Sequence, residues 1–503
     1  MIMKLNYLSI LFFSFLIFGC SQSDDLNEIK VPGEGDKTLV NISPVEAMSI
    51  AFDNPEELSD SEIIQMVSGF VQSNSSTNSF DNPPKISVNH DFLLELPQDN
   101  ASTRSNINDE KIRFCVVDII NDDQDDIKNG FAVACADERY PAVLACVEQG
   151  NFNSIPGSPA ELMLNRTQLV ALSYIAEVNN SKSKYQEQTM EKICKALKIT
   201  KEEFDYDKFK TKLYVQRIQN NEFETDGTVV VNPGGTILGG TGPLCGTTRI
   251  IQGWPCNQFI DKVDTDKYGQ VWQTEQHNGR YPAGCVNVAL ATICSFLKPN
   301  IYCAELNRNI NWSNVYNTYF NPFANDPRAF DPNTPQAIEV ARLLKTISVG
   351  TKTRFDAEGG SASNSDAAAY MRSIGVSMNN SLVDMSYLNI RLSLTSFGLV
   401  YCTGQGRNVV SRGDGVGGGH AWVIDGYQVR SRLTRQELQN YNCYVNCNFG
   451  WVEPEETSYY KPTPTNGWYL TDYNGSVSFD VTKQWGSIYD VNLKCIVNIR
   501  KLK

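Results

Sequence analysis

Three histidines occur in the chain, His90, His277 and His420, and the last stands where chemistry is possible. The stretch GDGVGGGHAWVIDGY (413–427) sets His420 between a run of glycines and a short alternating apolar segment. Such alternation predicts a strand with His420 at its start, and the glycines leave room for another group beside the imidazole. The stretch YPAGCVNVALATICSFLKP (281–299) predicts a helix that begins near Cys285. Val286, Ala289, Leu290, Ile293, Phe296 and Leu297 recur at helical spacing, Gly284 frees the backbone before them and Pro299 ends the run. A cysteine at a helix N-terminus has its thiolate favoured by backbone N–H groups and the helix dipole. An imidazole within hydrogen-bond reach of that sulfur would make it a nucleophile. Taken by position alone, Cys285 would more commonly be a core cysteine at a helix start; the presence of His420, 135 residues further on, favours the nucleophile. His277, eight residues before Cys285 in a polar stretch, reads as a surface histidine.

An imidazole works best when an amide or carboxylate fixes its tautomer and plane. YVNCNFGW (444–451) has a strand pattern in which Asn446 and Asn448 share one face, and either could serve; a turn role is the plainer reading of Asn before Gly. A glutamine amide beside the nucleophile's own N–H could form an oxyanion hole. Gln252 in QGWPCN (252–257), Gln270 and Gln273 all qualify on residue type.

The elements that must carry these groups lie in a chain of 503 residues, long enough for two or three domains. A formal charge of −13 and the absence of a basic run argue against a nucleic-acid partner. An early lysine and an apolar run from Tyr7 to Phe18 predict a signal peptide, too short for a spanning helix. Fourteen cysteines form no CxxC pair or zinc-knuckle pattern, and with so few histidines no metal or other cofactor is expected. Once Cys20 is set aside, an odd number remains, so at least one thiol is unpaired unless it bonds another chain. Residues 43–72 predict two short helices, IRFCVVDII and 130–152 predict strands, and helical patterning runs over about 158–218. Residues 225–248 hold seven glycines and two prolines with almost no charge and read as a flexible, protease-sensitive linker.

Taken together, these residues resemble the streptopain family of bacterial papain-like cysteine peptidases, in which the cysteine precedes the histidine at a similar separation. GPLCGTTRIIQGWPCN resembles the family segment ending in Gln-x-x-Pro-Tyr-Asn, AGCVNVALATI its nucleophile helix, INWSNV (310–315) its Asp-Trp segment and GGGHAWVIDGY its histidine strand. NFGW followed by NGWYL resembles the Asn-Trp-Gly-Trp segment, and GFAVACADERYPAVLACVEQGNF resembles the paired strands of the propeptide. The resemblance implies Cys285 as nucleophile, His420 as general base and acid, Asn448 as the residue orienting His420, and Gln252 in the oxyanion hole. Phe449 stands where the family usually has Trp, Cys256 where it has Tyr, and Ile250 replaces a common Trp; VEPEETSYYKPTPT (452–465) is an added stretch.

The fold expected is α+β, a papain-like catalytic domain over 249–503 preceded by an α+β inhibitory prodomain over 43–224. Residues 1–19 would be the signal peptide, 20–42 a tether, and 225–248 the activation linker. Ile-Phe-Gly-Cys resembles a lipobox, so Cys20 would carry a lipid and anchor the chain in a bacterial outer membrane, with SQSDD resembling a surface-export signal of Bacteroidetes lipoproteins. The implied partners are protein or peptide substrates, the chain's own prodomain, and an activating protease unless the enzyme cleaves itself. Two other functions fit the same scaffold: an acyltransferase, in which an amine replaces water, and an inactive surface protein that binds host protein or glycan.

Overall fold

The computed structural model describes residues 39–74, 83–96, 110–121, 129–147, 150–155, 158–215, 234–246, 248, 250–264, 278–316, 331–356, 359–406, 419–433, 439–450, 466–474 and 491–502. The architecture is α+β, with helices on both faces of one long antiparallel sheet. The signal peptide and lipobox cysteine, and residues 216–233, lie outside the described residues.

The two short helices read from residues 43–72 are α1 (Pro44–Ala51) and α2 (Asp60–Asn74). A capping box starts α1: Ser43 Oγ accepts the Glu46 N–H at 3.2 Å while the Glu46 carboxylate accepts the Ser43 N–H at 2.6 Å. Helix α3 (Pro159–Leu197) is a single 39-residue helix. It stops short of the predicted end at 218 because Lys198 turns into the left-handed region, φ 56°, and its N–H closes on the Cys194 carbonyl. The chain then returns through Leu213–Val215, which pairs in parallel with Val40–Ile42.

Four N-terminal strands, β1 (Lys85–Glu95), β2 (Lys111–Ile120), β3 (Gly130–Cys135) and β4 (Ala142–Val147), form an antiparallel meander. The C-terminal part contributes β5 (Thr236–Thr241), β6 (Leu399–Gly406), β7 (His420–Leu433), β8 (Gln439–Asn448), β9 (Gly467–Asn474) and β10 (Val491–Lys501). Their order is β10-β6-β7-β8-β9, and β9 then pairs with β4, joining the two sets of strands edge to edge through Trp468–Cys146 and Tyr469–Ala145. Side chains reinforce the seam: Tyr444 donates to the Val143 carbonyl at 2.8 Å and Tyr140 to Asn442 Oδ1 at 3.1 Å.

The C-terminal helices that matter for the site are α4 (Cys285–Leu297), α5 (Pro335–Gly350) and α6 (Asn364–Ser373). Alternation along β7 divides its neighbours between two cores. Ala421 and Val423 pack with α4, α5 and α6, whereas Trp422 and Ile424 pack with residues of α1–α3 and the N-terminal strands. One face of β7 is therefore covered by α4 and its neighbours and the other by the N-terminal part.

The glycine-rich stretch 225–248 is not wholly a linker. Its second half contains β5, which pairs with β7 at residues 427–431, on the edge that β6 occupies at 420–424. The glycines permit close backbone approach rather than looseness. A Cβ at Gly240 would stand 2.6 Å from the Tyr427 carbonyl oxygen, and one at Gly242, φ 89°, 2.4 Å from that of Asp425. All thirteen described cysteines are free thiols, and all but Cys285 are buried.

Candidate active site

Helix α4 begins at Cys285 because Gly284, at φ 92°, turns the chain into it. No other residue fits there without displacement: an added Cβ would lie 2.4 Å from the carbonyl oxygen of Gly360, on the hairpin Arg354–Asp356/Gly359–Ser361. The turn before the helix is clamped by Asn287. Its amide nitrogen donates to the Ala283 carbonyl at 2.7 Å and to Thr353 Oγ1 at 2.9 Å, while its oxygen accepts from Thr351 Oγ1 at 2.9 Å. Nothing in the sequence pattern singled out Asn287; an asparagine two residues into an otherwise apolar helix is the one signal that could have done so.

The Cys285 thiol is partly exposed at the helix N-terminus. The backbone N–H groups of Ala421 and Val286 are aimed at its sulfur, and together with the N–H of Cys285 itself they favour the thiolate. Desolvation raises the thiol above its ordinary value, and those N–H groups pull the other way without overcoming it. The contact from Ala421 brings the first peptide of β7, which follows His420, to the start of α4.

His420 opens β7 opposite Gly404 of β6. Part of its surface reaches solvent, yet burial holds the imidazole down to about 4, so the ring is neutral at pH 7. Gly404 has no space for a side chain, since Trp422, Leu493 and Leu162 of α3 crowd the place its Cβ would take. Of the other histidines, His90 is exposed on β1, and His277 lies outside the described residues.

Asn448 ends β8 opposite Val423, three residues along β7 from His420, whereas Asn446 lies opposite Gly426. Register therefore puts Asn448 nearer the histidine. Both polar atoms of its buried amide lack a hydrogen-bond partner among the described residues. Beyond it Phe449 packs against Trp422 and Tyr469, each with ring centroids 5.7 Å apart. Gly450, φ 62°, then lies over Val288 of α4, where a Cβ would come within 2.2 Å of the valine methyl.

Gln252 is tied to the turn before α4 by the Ala283 N–H, which donates to the Gln252 carbonyl at 2.8 Å. Its neighbours support the placement: Asn257 Nδ2 donates to the Tyr281 carbonyl at 3.2 Å, and Ile250 and Cys256 are fully buried. Gln270 and Gln273 lie outside the described residues. Further along, Trp312 Nε1 donates to the Pro299 carbonyl at 2.8 Å and closes the segment after α4.

A cysteine at a helix start is thus held against the first peptide of a histidine-bearing strand in an α+β fold. Residues 264–460 match the model of the Peptidase C10 family, so this segment is similar to the streptopain family of cysteine peptidases. The matched span includes Cys285, His420 and Asn448; Gln252 precedes it. No curated protein gives a significant match to the chain.

Proposed function

We propose that the protein is a cysteine endopeptidase made as a zymogen, exported and anchored through a lipid on Cys20 in an outer membrane. The observation that carries the catalytic reading is the hydrogen bond from the Ala421 N–H to Cys285 Sγ at the start of α4, within a span that matches the C10 family. His420 would take the thiol proton, and the sulfur would attack the substrate carbonyl carbon. The resulting oxyanion would be met by the Cys285 N–H and the Gln252 amide. His420 would then give its proton to the leaving amine, and water, activated by the same imidazole, would release the acid from sulfur. Asn448 would hold the imidazole plane.

Residues 43–224 are read as the inhibitory prodomain, cut from the catalytic part within the glycine-rich stretch 225–248. Latency is supported by the resting state of the pair, with burial raising the thiol and lowering the imidazole so that neither is charged. The test is mass spectrometry of the cut protein after an epoxide inhibitor of papain-like enzymes, beside Cys285→Ala and His420→Ala. Label on Cys285 that disappears in both variants is expected. Equal, slow labelling of several cysteines regardless of His420 overturns the catalytic reading and favours a binding protein on this scaffold.

A further inference from the structure

Ten residues along β7 from His420 stands Arg430, a cation that is 1% exposed. Its guanidinium reaches across the two parts of the molecule. Nη1 donates to Ser73 Oγ at 2.7 Å and to the carbonyls of Gly234 and Gly235, each at 3.3 Å. Nη2 donates to Asn74 Oδ1 at 2.7 Å and Nε to Gln428 Oε1 at 3.1 Å. The planar group lies 3.8 Å from the ring centroid of Phe70 and 5.9 Å from that of Tyr444.

Every one of these acceptors is neutral, and no carboxylate pairs with Arg430 among the described residues. Desolvation lowers it to about 10, which still leaves the cation at neutral pH. What stands in for a counter-ion is the C-terminal end of α2. Asn74 is its last residue, and Ser73 passes its own proton to the Gly69 and Phe70 carbonyls at 2.8 and 2.9 Å, so its lone pairs are free for Arg430. Carbonyl ends of helices carry partial negative charge and favour a cation. Gln428 adds a parallel tie, donating to Asn74 Oδ1 at 2.8 Å. The backbone of Gly234 lies directly on Phe70, so the end of α2, β7 and the segment leading into β5 all meet at this side chain.

We infer that Arg430, held by Ser73 and Asn74, is the pin that keeps the N-terminal part seated on β7 after the chain between Val215 and Gly234 is cut. The inference rests on reading residues 43–224 as a prodomain. Cutting the connection leaves β4 paired to β9, the shared core of Trp422, Phe449 and Leu162 in place, and Arg430 still clasped. The cut protein is thus a two-chain complex, and loss of the prodomain waits on opening of the Arg430 contact.

A buried cation held by neutral groups has a diagnostic energetic pattern. Removing its acceptors leaves an uncompensated charge in the interior, which costs more than removing the acceptors and the charge together. The experiment uses the full-length Cys285→Ala chain with a specific protease site placed between Val215 and Gly234. After the cut, separation of the two chains is followed by size exclusion on dilution. Ser73→Ala/Asn74→Ala is expected to speed separation about tenfold or more, and adding Arg430→Met to it to slow separation again. Asn74→Asp, which gives the guanidinium a carboxylate, is expected to slow separation relative to the parent. If the double variant separates at the parent rate, if Arg430→Met brings no recovery, or if Asn74→Asp separates no more slowly than the parent, the inference is overturned. Any variant whose uncut chain does not elute as the parent does is left out, and Asn74→Asp then decides alone. Because the protein is inert, none of these outcomes depends on whether the proposed catalysis is correct.

Discussion

The backbone N–H of Ala421 donates to the sulfur of Cys285, which fixes the first peptide of β7 to the first residue of α4. The N–H groups of Ala421 and Val286, with that of Cys285 itself, favour a thiolate there. Desolvation nonetheless leaves the thiol above its ordinary value of 9.0 in the intact chain. The expected consequence is a slow thiol: the rate of Cys285 alkylation by iodoacetamide in the uncut protein should keep rising past pH 9, with no plateau near neutrality. Quenched samples analysed by peptide mass spectrometry would show it. A plateau below pH 7 would mean that the ion pair already exists before the chain is cut.

Gly284 sets the entrance to α4. Alanine there would need a φ of 92° and would place its Cβ 2.4 Å from the Gly360 oxygen. Either the paired strands 354–356 and 359–361 or the start of α4 must move. A destabilisation on the order of 2–4 kcal/mol is expected, along with a fall in turnover of about 10²-fold from displacement of the sulfur. Urea unfolding of Gly284→Ala beside the parent, with peptide hydrolysis by the cut enzyme, measures both. Unchanged turnover would mean that the sulfur's position does not depend on this glycine.

Much of the site was legible because its signals are local. The apolar spacing after Cys285 and the alternation after His420 each follow from a single element's periodicity, and α4 and β7 begin where those patterns begin. Other parts depend on distant segments. Side-chain chemistry left Asn446 and Asn448 equivalent; the family resemblance pointed to Asn448, and the register of β8 on β7 puts it nearer His420. Donation from Ala421 is a backbone contact and leaves no trace in residue type. Glycine-rich composition suggested looseness at 225–248, yet Gly240 and Gly242 are small because β7 carbonyls press against them. Nor does the strand pattern of β4 announce that its free edge will pair with β9, more than 300 residues further along.

Asn448 should separate stability from activity. Its buried amide has no hydrogen-bond partner among the described residues, and an unsatisfied buried amide is a liability to the fold. Asn448→Ala is therefore expected to unfold at the same temperature as the parent or slightly above it. Turnover by the cut enzyme should fall about tenfold or more on the proposed orienting role. Calorimetry and steady-state kinetics on one preparation suffice. A clear loss of thermal stability would show instead that the amide is held by contacts the resting fold needs.

The final prediction concerns pH and follows from two residues on β7. Asp425 is fully buried; its Oδ2 accepts the Cys245 N–H at 2.6 Å and its Oδ1 has no partner among the described residues. Burial raises the carboxyl from 3.8 to about 7. Between those values the unfolded chain has released the proton and the folded chain has not, so stability falls as pH rises from about 4 to 7, by on the order of 4 kcal/mol as an upper bound. His420 runs the other way. Its imidazole is lowered from 6.5 to about 4, so between those values the unfolded chain is the one that binds the extra proton, and stability rises with pH. The two slopes oppose each other over about pH 4–6.5, and only above 6.5 does the Asp425 term act alone. Each variant should expose its partner's slope: Asp425→Asn becomes relatively more stable with rising pH across that window, and His420→Asn relatively less. Denaturant unfolding at half-unit pH steps, read as the difference from the parent at each pH, cancels the contributions of the other carboxylates. Parallel curves for parent and both variants would mean that neither group keeps its shifted protonation in the folded protein.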